Sequence, residues 1–318
     1  SNFSIFNFLK QFFAMSIVIE LICLYPNNYL SESLTMTGSL QDKSLKGGFK
    51  FPWPFPSGKP SAFYRFKSYL AMSFVGILSK SMFVGGVNKM VVKNKDTFMK
   101  VLKDRSRPLI TVANHRCNID DPLMFALMTR REFADTLDHQ RYTLTAHNIC
   151  FTKQSHTTLF SLGRCVPCVR GEGVNQKGMD FCLEKMEQDN AWIHIFSEGK
   201  VVEEPGRFKW GVGRLVNECS KPPLILPIWI EGMNKVWPNH PPYYPRFGNT
   251  VNVFIGDVID TKDWLKQLKN EDKESGRKKM TDLIQRSLYT LGEKSGCLPI
   301  GSADLVESND HSRKKYYK

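Results

Sequence analysis

The sequence predicts a three-layer α/β fold, with a central mainly parallel or mixed sheet flanked by helices and one further helix at a membrane interface near the N-terminus. Three observations carry this. From Leu109 to Leu291 short apolar runs alternate with amphipathic ones, the pattern of strands feeding helices that cover both faces of a sheet. The 318 residues are enough for one large core. A content of 42% hydrophobic and 24% charged residues is that of a globular protein, not a disordered one.

Residues 1–50 read as an N-terminal extension. Phe3 to Leu24 is apolar and aromatic, with Lys10 and Glu20 towards its ends, so a membrane span and a targeting segment are both open. The Ser-, Gly- and Lys-rich residues from Leu30 to Lys50 read as linker. Phe51-Pro52-Trp53-Pro54-Phe55-Pro56 cannot form a helix, because each proline removes a donor and constrains the residue before it. Residues 51–292 read as the main domain. Within it, residues 62–87 form a second apolar stretch in which Arg65, Lys67 and Lys80 leave only about a dozen uncharged residues, short for a span. A helix lying in the interface with its cations at the headgroups fits, as does a core helix with a basic outer face. Residues 293–318 read as a flexible basic tail.

Strands are expected at Leu109 to Ala113, Cys165 to Arg170, Ala191 to Phe196, Leu224 to Trp229 and Thr250 to Ile255. Helices are expected at Pro122 to Arg131, Gln176 to Gln188, Lys209 to Cys219 and Lys278 to Leu291. In the second of these, Met179, Cys182, Leu183 and Met186 fall on one face.

The net charge of +13 and pI near 9.3 point to an anionic partner. Apolar stretches beside Lys and Arg favour a membrane surface over nucleic acid, for which no zinc-finger or RRM signature is present. The eight Cys are scattered and make no disulfide framework in a chain this long. Cys165-Val166-Pro167-Cys168 reads as packed strand rather than redox motif, and no second ligand pair suggests zinc.

Asn114-His115, followed by Asp120-Asp121-Pro122, lies where a buried strand opens into a helix. There an imidazole can take a proton from a hydroxyl while a carboxylate fixes its tautomer. Asp120 or Asp121 would cap the helix, with Pro122 at its first position. Arg170 leaves a strand into a turn flanked by Gly171 and Gly173, suited to gripping phosphate. Phe196-Ser197-Glu198-Gly199 follows a buried strand and aims a glutamate past its end. Leu226-Pro227-Ile228-Trp229 suits a strand edge, an acyl-chain wall or ordinary core.

This order of segments resembles the four motifs of the glycerolipid acyltransferase family. Ile149-Cys150-Phe151-Thr152-Lys153, Gly178-Met179-Asp180-Phe181, Arg207-Phe208-Lys209-Trp210-Gly211 and Pro241-Pro242-Tyr243-Tyr244-Pro245-Arg246-Phe247-Gly248 are similar to the tafazzin branch of it. The likeness runs from about Phe51 to Leu291. Ser197 stands where the family has proline, and Ile230 where tafazzins have histidine.

The resemblance implies a glycerolipid-acyltransferase-like domain and a coenzyme-A-independent transacylase with no cofactor or metal. It would move acyl chains from phospholipid to lysophospholipid and remodel cardiolipin from monolysocardiolipin. His115 would be the general base and Asp120 its support. Arg170, Glu198 and Gly199 would hold the phosphate and glycerol parts, with Asn114, Gly171 and Pro227 as further substrate-binding positions. It also implies peripheral association with mitochondrial membranes facing the intermembrane space. An acyl-CoA-dependent lysophosphatidate acyltransferase shares these motifs, and a silent anionic-lipid-binding protein shares the charge. A homo-oligomer is left open.

Overall fold

The structure, a computed structural model, describes residues 49, 51–202, 204–240 and 244–304. The apolar segment 3–24, nearly all of the linker and residues 305–318 lie outside the described residues.

The first helix, α1 (Ala62–Ser81), starts where the Ser61 hydroxyl accepts from the Tyr64 N–H at 3.1 Å. It is docked through small residues. Ser68 Oγ donates to Leu162 O, and Ser79 Oγ donates to Pro122 O. The helix is shorter than the apolar stretch because Gly85 and Gly86 both take positive φ, at 68° and 76°, and turn the chain. No helix among the described residues is long and apolar enough to cross a membrane.

The chain then alternates as β1 (Lys89–Lys93), α2 (Lys95–Lys103), β2 (Leu109–Ala113), α3 (Asp120–Leu123), α4 (Arg130–Asp135), β3 (Tyr142–Ala146), α5 (His147–Cys150), α6 (Gln154–Leu162), β4 (Cys165–Cys168), α7 (Lys177–Asp189), β5 (Trp192–Ile195), α8 (Gly211–Glu218), β6 (Leu224–Glu231), α9 (Met233–Val236), β7 (Thr250–Ile255), β8 (Ile259–Asp260), α10 (Lys262–Gln267) and α11 (Lys273–Lys294). The five expected strands are present within a residue or two. The strands β1, β3 and β8 and the helices α2, α5, α6, α9 and α10 are additional, and α11 is longer than expected at both ends.

The single helix expected over Pro122 to Arg131 is broken. α3 passes into a 3-10 turn at Met124–Leu127, and Met128 is extended. Thr129 and Glu132 then form a capping box that starts α4. A capping residue needs extended backbone, so the box interrupts the helix that the apolar pattern favours.

The sheet runs β1-β7-β6-β2-β5-β3-β4, with β8 pairing β6. β2 is central and wholly buried, as a parallel strand covered on both faces should be. Its side chains alternate between two cores. Ile110 and Val112 join Ile193, Ile225 and the helices α7, α8 and α11. Leu109 and Ala113 join Trp192, Leu226 and the layer built from α1, α2 and α3. Phe55 of the proline-rich segment is buried and stacks on Phe181 at 4.4 Å.

Pro227 lies inside β6, where a missing donor is usually costly. Here β6 changes partner, from β8 at Leu224 and Ile225 to β7 at Ile228. Gly256, between those two strands, donates its N–H to Pro227 O at 2.9 Å. Pro227 is buried beside Gly256 and Leu291.

Where the sequence suggested a flexible tail from residue 293, the chain stays packed to residue 304. Leu298 lies against the core, Ala303 is buried, and the Ala303 N–H is held by Glu293 Oε1 at 2.9 Å.

β3, β4, β5 and β6 all run parallel with or through β2, so their C-terminal ends share one edge of the sheet. β7 is antiparallel to β6 and begins at that edge, and β1, parallel to β7, begins there too.

The approach of α8 to α11 depends on Gly213. A Cβ there would lie 2.1 Å from Arg277 O and 2.4 Å from Thr281 Oγ1. Gly213→Ala is therefore expected to destabilise the protein by about 1–3 kcal/mol despite its better helix propensity. Urea unfolding with an unchanged or higher midpoint would show that the two helices can part without cost.

Candidate active site

The side chains of the site hang from the loops that leave β2 and β5, next to each other in the sheet. Past the end of β2, Asn114 is fully buried. Its amide donates to Ile230 O at 2.8 Å and its carbonyl accepts from the Ile230 N–H at 2.7 Å. Both ends of the side chain bond to β6, so Asn114 holds the loop in place. The partner is the backbone of Ile230, so the pairing does not need a particular side chain there.

His115 follows. Its Nδ1 lies 2.9 Å from Asp120 Oδ2, and the same oxygen accepts the N–H groups of Arg116 and Cys117, each at 2.8 Å. Asp120 opens α3 but does not cap it, because its carboxylate turns back into the loop. Three donors converging on one oxygen leave the imidazole proton on Nδ1 and a lone pair on Nε2. The His115 ring stacks on Phe196, with centroids 4.3 Å apart and planes at 24°. Position, tautomer and ring plane of His115 are thus each held by a different neighbour.

Glu198 approaches from the end of β5. Its Oε2 accepts the His115 backbone N–H at 2.8 Å, and the Tyr289 hydroxyl of α11 lies 3.3 Å from its Oε1. Burial pushes the Glu198 carboxyl up to about 7, against the lowering effect of the His115 hydrogen bond and the Arg116 charge. Gly199, with φ of 74°, turns the chain into a strap over the loop. The Val202 N–H donates to His115 O at 3.0 Å, and Arg116 Nη1 donates to Val202 O at 2.9 Å. Gly206 and Phe208 are tied to α11 through Tyr289 and Gln285.

A polar assembly supports α3 from the sheet. Half-buried Asp121 accepts from Arg141 Nε at 2.9 Å and from the Thr143 hydroxyl at 2.8 Å. Burial alone would raise the Asp121 carboxyl, but the Arg141 charge and the hydrogen bonds from Arg141 and Thr143 hold it below the usual carboxylate range. The Arg141 guanidinium lies 4.1 Å from the Phe125 ring centroid. Beside this pair, His194 Nδ1 meets the Thr111 hydroxyl at 2.7 Å, and burial pushes the His194 imidazole down to about 3. It stays neutral and places no second cation near His115.

Arg170 and Gly171 lie on the same sheet edge, at the end of β4 and two strands from β5. Arg170 is exposed, and Gly171 has φ of 93° with open space where a Cβ would be. Pro227 is buried in the core beside Gly256. Phe196, Tyr289, Arg141 and Asn239 were not identified from the sequence. Asn239 receives the Asn118 N–H and donates to Arg116 O at 2.7 Å. Only Phe196 carried a signal, since it opens the Phe-Ser-Glu-Gly segment. Burial raises the thiols of Cys117 to about 12 and of Cys150 and Cys168 to about 11, so none of these is an activated nucleophile.

Comparison with known proteins matches residues 89–231 to the family model named Acyltransferase. A tafazzin of Drosophila melanogaster is 37% identical over 250 residues, covering 76% of this chain and 65% of the relative. A "Taffazin" of Dictyostelium discoideum is 37% identical over 207 residues, covering 61% of this chain and 70% of the relative. An N-acylphosphatidylethanolamine synthase of Arabidopsis thaliana is 33% identical over 183 residues, covering 54% and 64%. The chain thus spans roughly two thirds of the length of these curated relatives.

The raised Glu198 carboxyl has a measurable consequence. Between the ordinary glutamate value of 4.5 and about 7, the folded protein keeps a proton that the unfolded chain has lost. That stabilisation is full below 4.5 and is lost as pH rises through 7. Glu198→Gln does not titrate, so its stability relative to wild type is expected to rise by about 3 kcal/mol from pH 4 to pH 8. Urea unfolding of both proteins across that range, with a difference that stays flat, would refute it.

Proposed function

The chain belongs to the tafazzin family of acyltransferases, and we propose that it exchanges acyl chains between a phospholipid and a lysophospholipid without coenzyme A. The observation that carries this is the His115–Asp120 pair, fixed at 2.9 Å with the Nε2 lone pair left basic. His115 Nε2 takes the proton of the lysolipid hydroxyl as its oxygen attacks the donor ester carbonyl. The carbonyl becomes a tetrahedral oxyanion, and Asp120 stabilises the imidazolium that has formed. Collapse breaks the bond to the departing lysolipid oxygen, which receives the Nε2 proton. One ester is made and one is lost, so no activated acyl carrier is consumed. The raised thiols favour direct transfer over an acyl-cysteine intermediate.

Arg170 in its glycine turn, with Glu198 and Gly199 shaping the mouth, is suited to the phosphate and glycerol parts of the lipid. The family points to monolysocardiolipin as acceptor, cardiolipin as product, and mitochondrial membranes facing the intermembrane space as the place. Association with a bilayer is supported by α1. Phe63, Phe66, Leu70 and Ile77, between 48% and 64% exposed, fall on one face, and Lys67 Nζ lies 4.9 Å from the Phe63 ring centroid.

The test is acyl exchange in liposomes of labelled phosphatidylcholine and monolysocardiolipin with no coenzyme A. Wild type is expected to transfer label, and His115→Ala and Asp120→Asn to lose about 10²–10⁴ of the rate. Transfer only after acyl-CoA is added would make the protein a lysophosphatidate-type acyltransferase. With phosphatidylethanolamine added to the liposomes, label on its amine instead of a hydroxyl would move the acceptor to the class that the Arabidopsis relative's name describes. Silence in every arm would leave a lipid-binding protein.

A further inference from the structure

The turn between α1 and β1 and the loop between β6 and β7 are separate in sequence but joined in the fold. Gly248 donates its N–H to Val87 O at 2.7 Å, Lys89 donates to Asn249 O at 2.9 Å, and the Asn249 N–H is held by Asn88 Oδ1 at 3.0 Å. Both precede strands that begin at the catalytic edge, so the pair projects from the edge that bears His115. The tips are apolar and exposed: Tyr244 by 57%, Phe247 by 47% and Val84 by 56%. Arg246, Lys89 and Lys235 stand exposed around them.

These side chains have no part in the chemistry of His115 and Asp120. The start of β7 is two strand spacings from the end of β2, roughly 10 Å. At the other side of the catalytic pair, Ile149 is 59% exposed just after β3, also two strands from β2. Large apolar tips thus flank the catalytic pair on one edge. An aromatic side chain in open water gains nothing from exposure. Tyrosine and phenylalanine ringed by cations are instead the composition of a surface that seats in the headgroup region of an anionic bilayer.

We infer that the Tyr244–Phe247 loop is a second membrane contact, distinct from α1, which inserts its aromatic tips into an anionic lipid surface and sets the catalytic edge against the bilayer. Lipid substrates then reach His115 from the membrane itself, without leaving it for water. This rests on the reading of the protein as a lipid acyltransferase working at a membrane.

The experiment measures sedimentation with phosphatidylcholine vesicles, with and without an anionic phospholipid. It compares wild type, the double variant Tyr244→Ser/Phe247→Ser and the α1 double variant Phe63→Ser/Phe66→Ser. The loop variant is expected to partition roughly tenfold less than wild type on anionic vesicles, with activity towards detergent-dispersed substrate retained. Unchanged partitioning of the loop variant, with loss confined to the α1 variant, overturns the loop contact and leaves α1 as the anchor. Wild type that fails to sediment overturns both contacts, and retained transfer on dispersed substrate would still uphold the proposed reaction. A change in oligomeric mass in place of partitioning would assign the loop to a second copy and overturn the proposal. Phe247→Trp gives an independent reading. Brominated acyl chains should quench its fluorescence beyond that of wild type, and no added quenching overturns the insertion.

Discussion

One buried oxygen organises the site. Asp120 Oδ2 collects the His115 imidazole and two backbone N–H groups, and Asp120 is fully buried at the start of α3. A carboxylate oxygen placed there satisfies loop donors that would otherwise be stranded, and stranded buried donors cost about 1–3 kcal/mol each. The same bonds that close the loop set the histidine tautomer. Folding of the loop and readiness of the base are therefore one event.

That oxygen is held in place by contacts on every side. The Asn114 amide fastens the loop to β6, and the Arg141–Asp121 pair fastens the first turn of α3 to β3. Glu198 and Tyr289 tie the loop to α11, at the far side of the other core. His115 is thus connected to both helical layers. A carboxyl raised by burial to about 7 at this junction couples the pH response of stability to the residue that holds the His115 backbone.

The parallel sheet explains why the functional groups share an edge. Strands running together bring their C-terminal loops to one side, where a crevice forms. The histidine and the glutamate are far apart in sequence and meet there because β2 and β5 point the same way, and the glycine-flanked arginine lies on the same edge, three strands from β2. The exposed apolar tips at Ile149, Val84, Tyr244 and Phe247 belong to the same edge as His115.

The sequence by itself determined the layered fold, five of the strands and the proximity of His115 to Asp120. Those features are local: a buried strand reads as an unbroken apolar run, and a base and its carboxylate one loop apart need no distant partner to be recognised. It also showed Glu198 and Gly199 as a pair past a strand end. It did not reveal β1 and β3, whose mixed polar and apolar residues gain their burial from neighbours. It offered Asp120 or Asp121 as the helix cap, whereas the fold turns the Asp120 carboxylate back into the loop, pairs Asn114 with the Ile230 backbone and packs Pro227 beside Gly256. Only the tertiary structure decided these roles, and with them the parts of Phe196, Tyr289 and Arg141. A side chain's partner across 83 or 91 residues is set by strand order and packing, which periodicity along one segment does not encode.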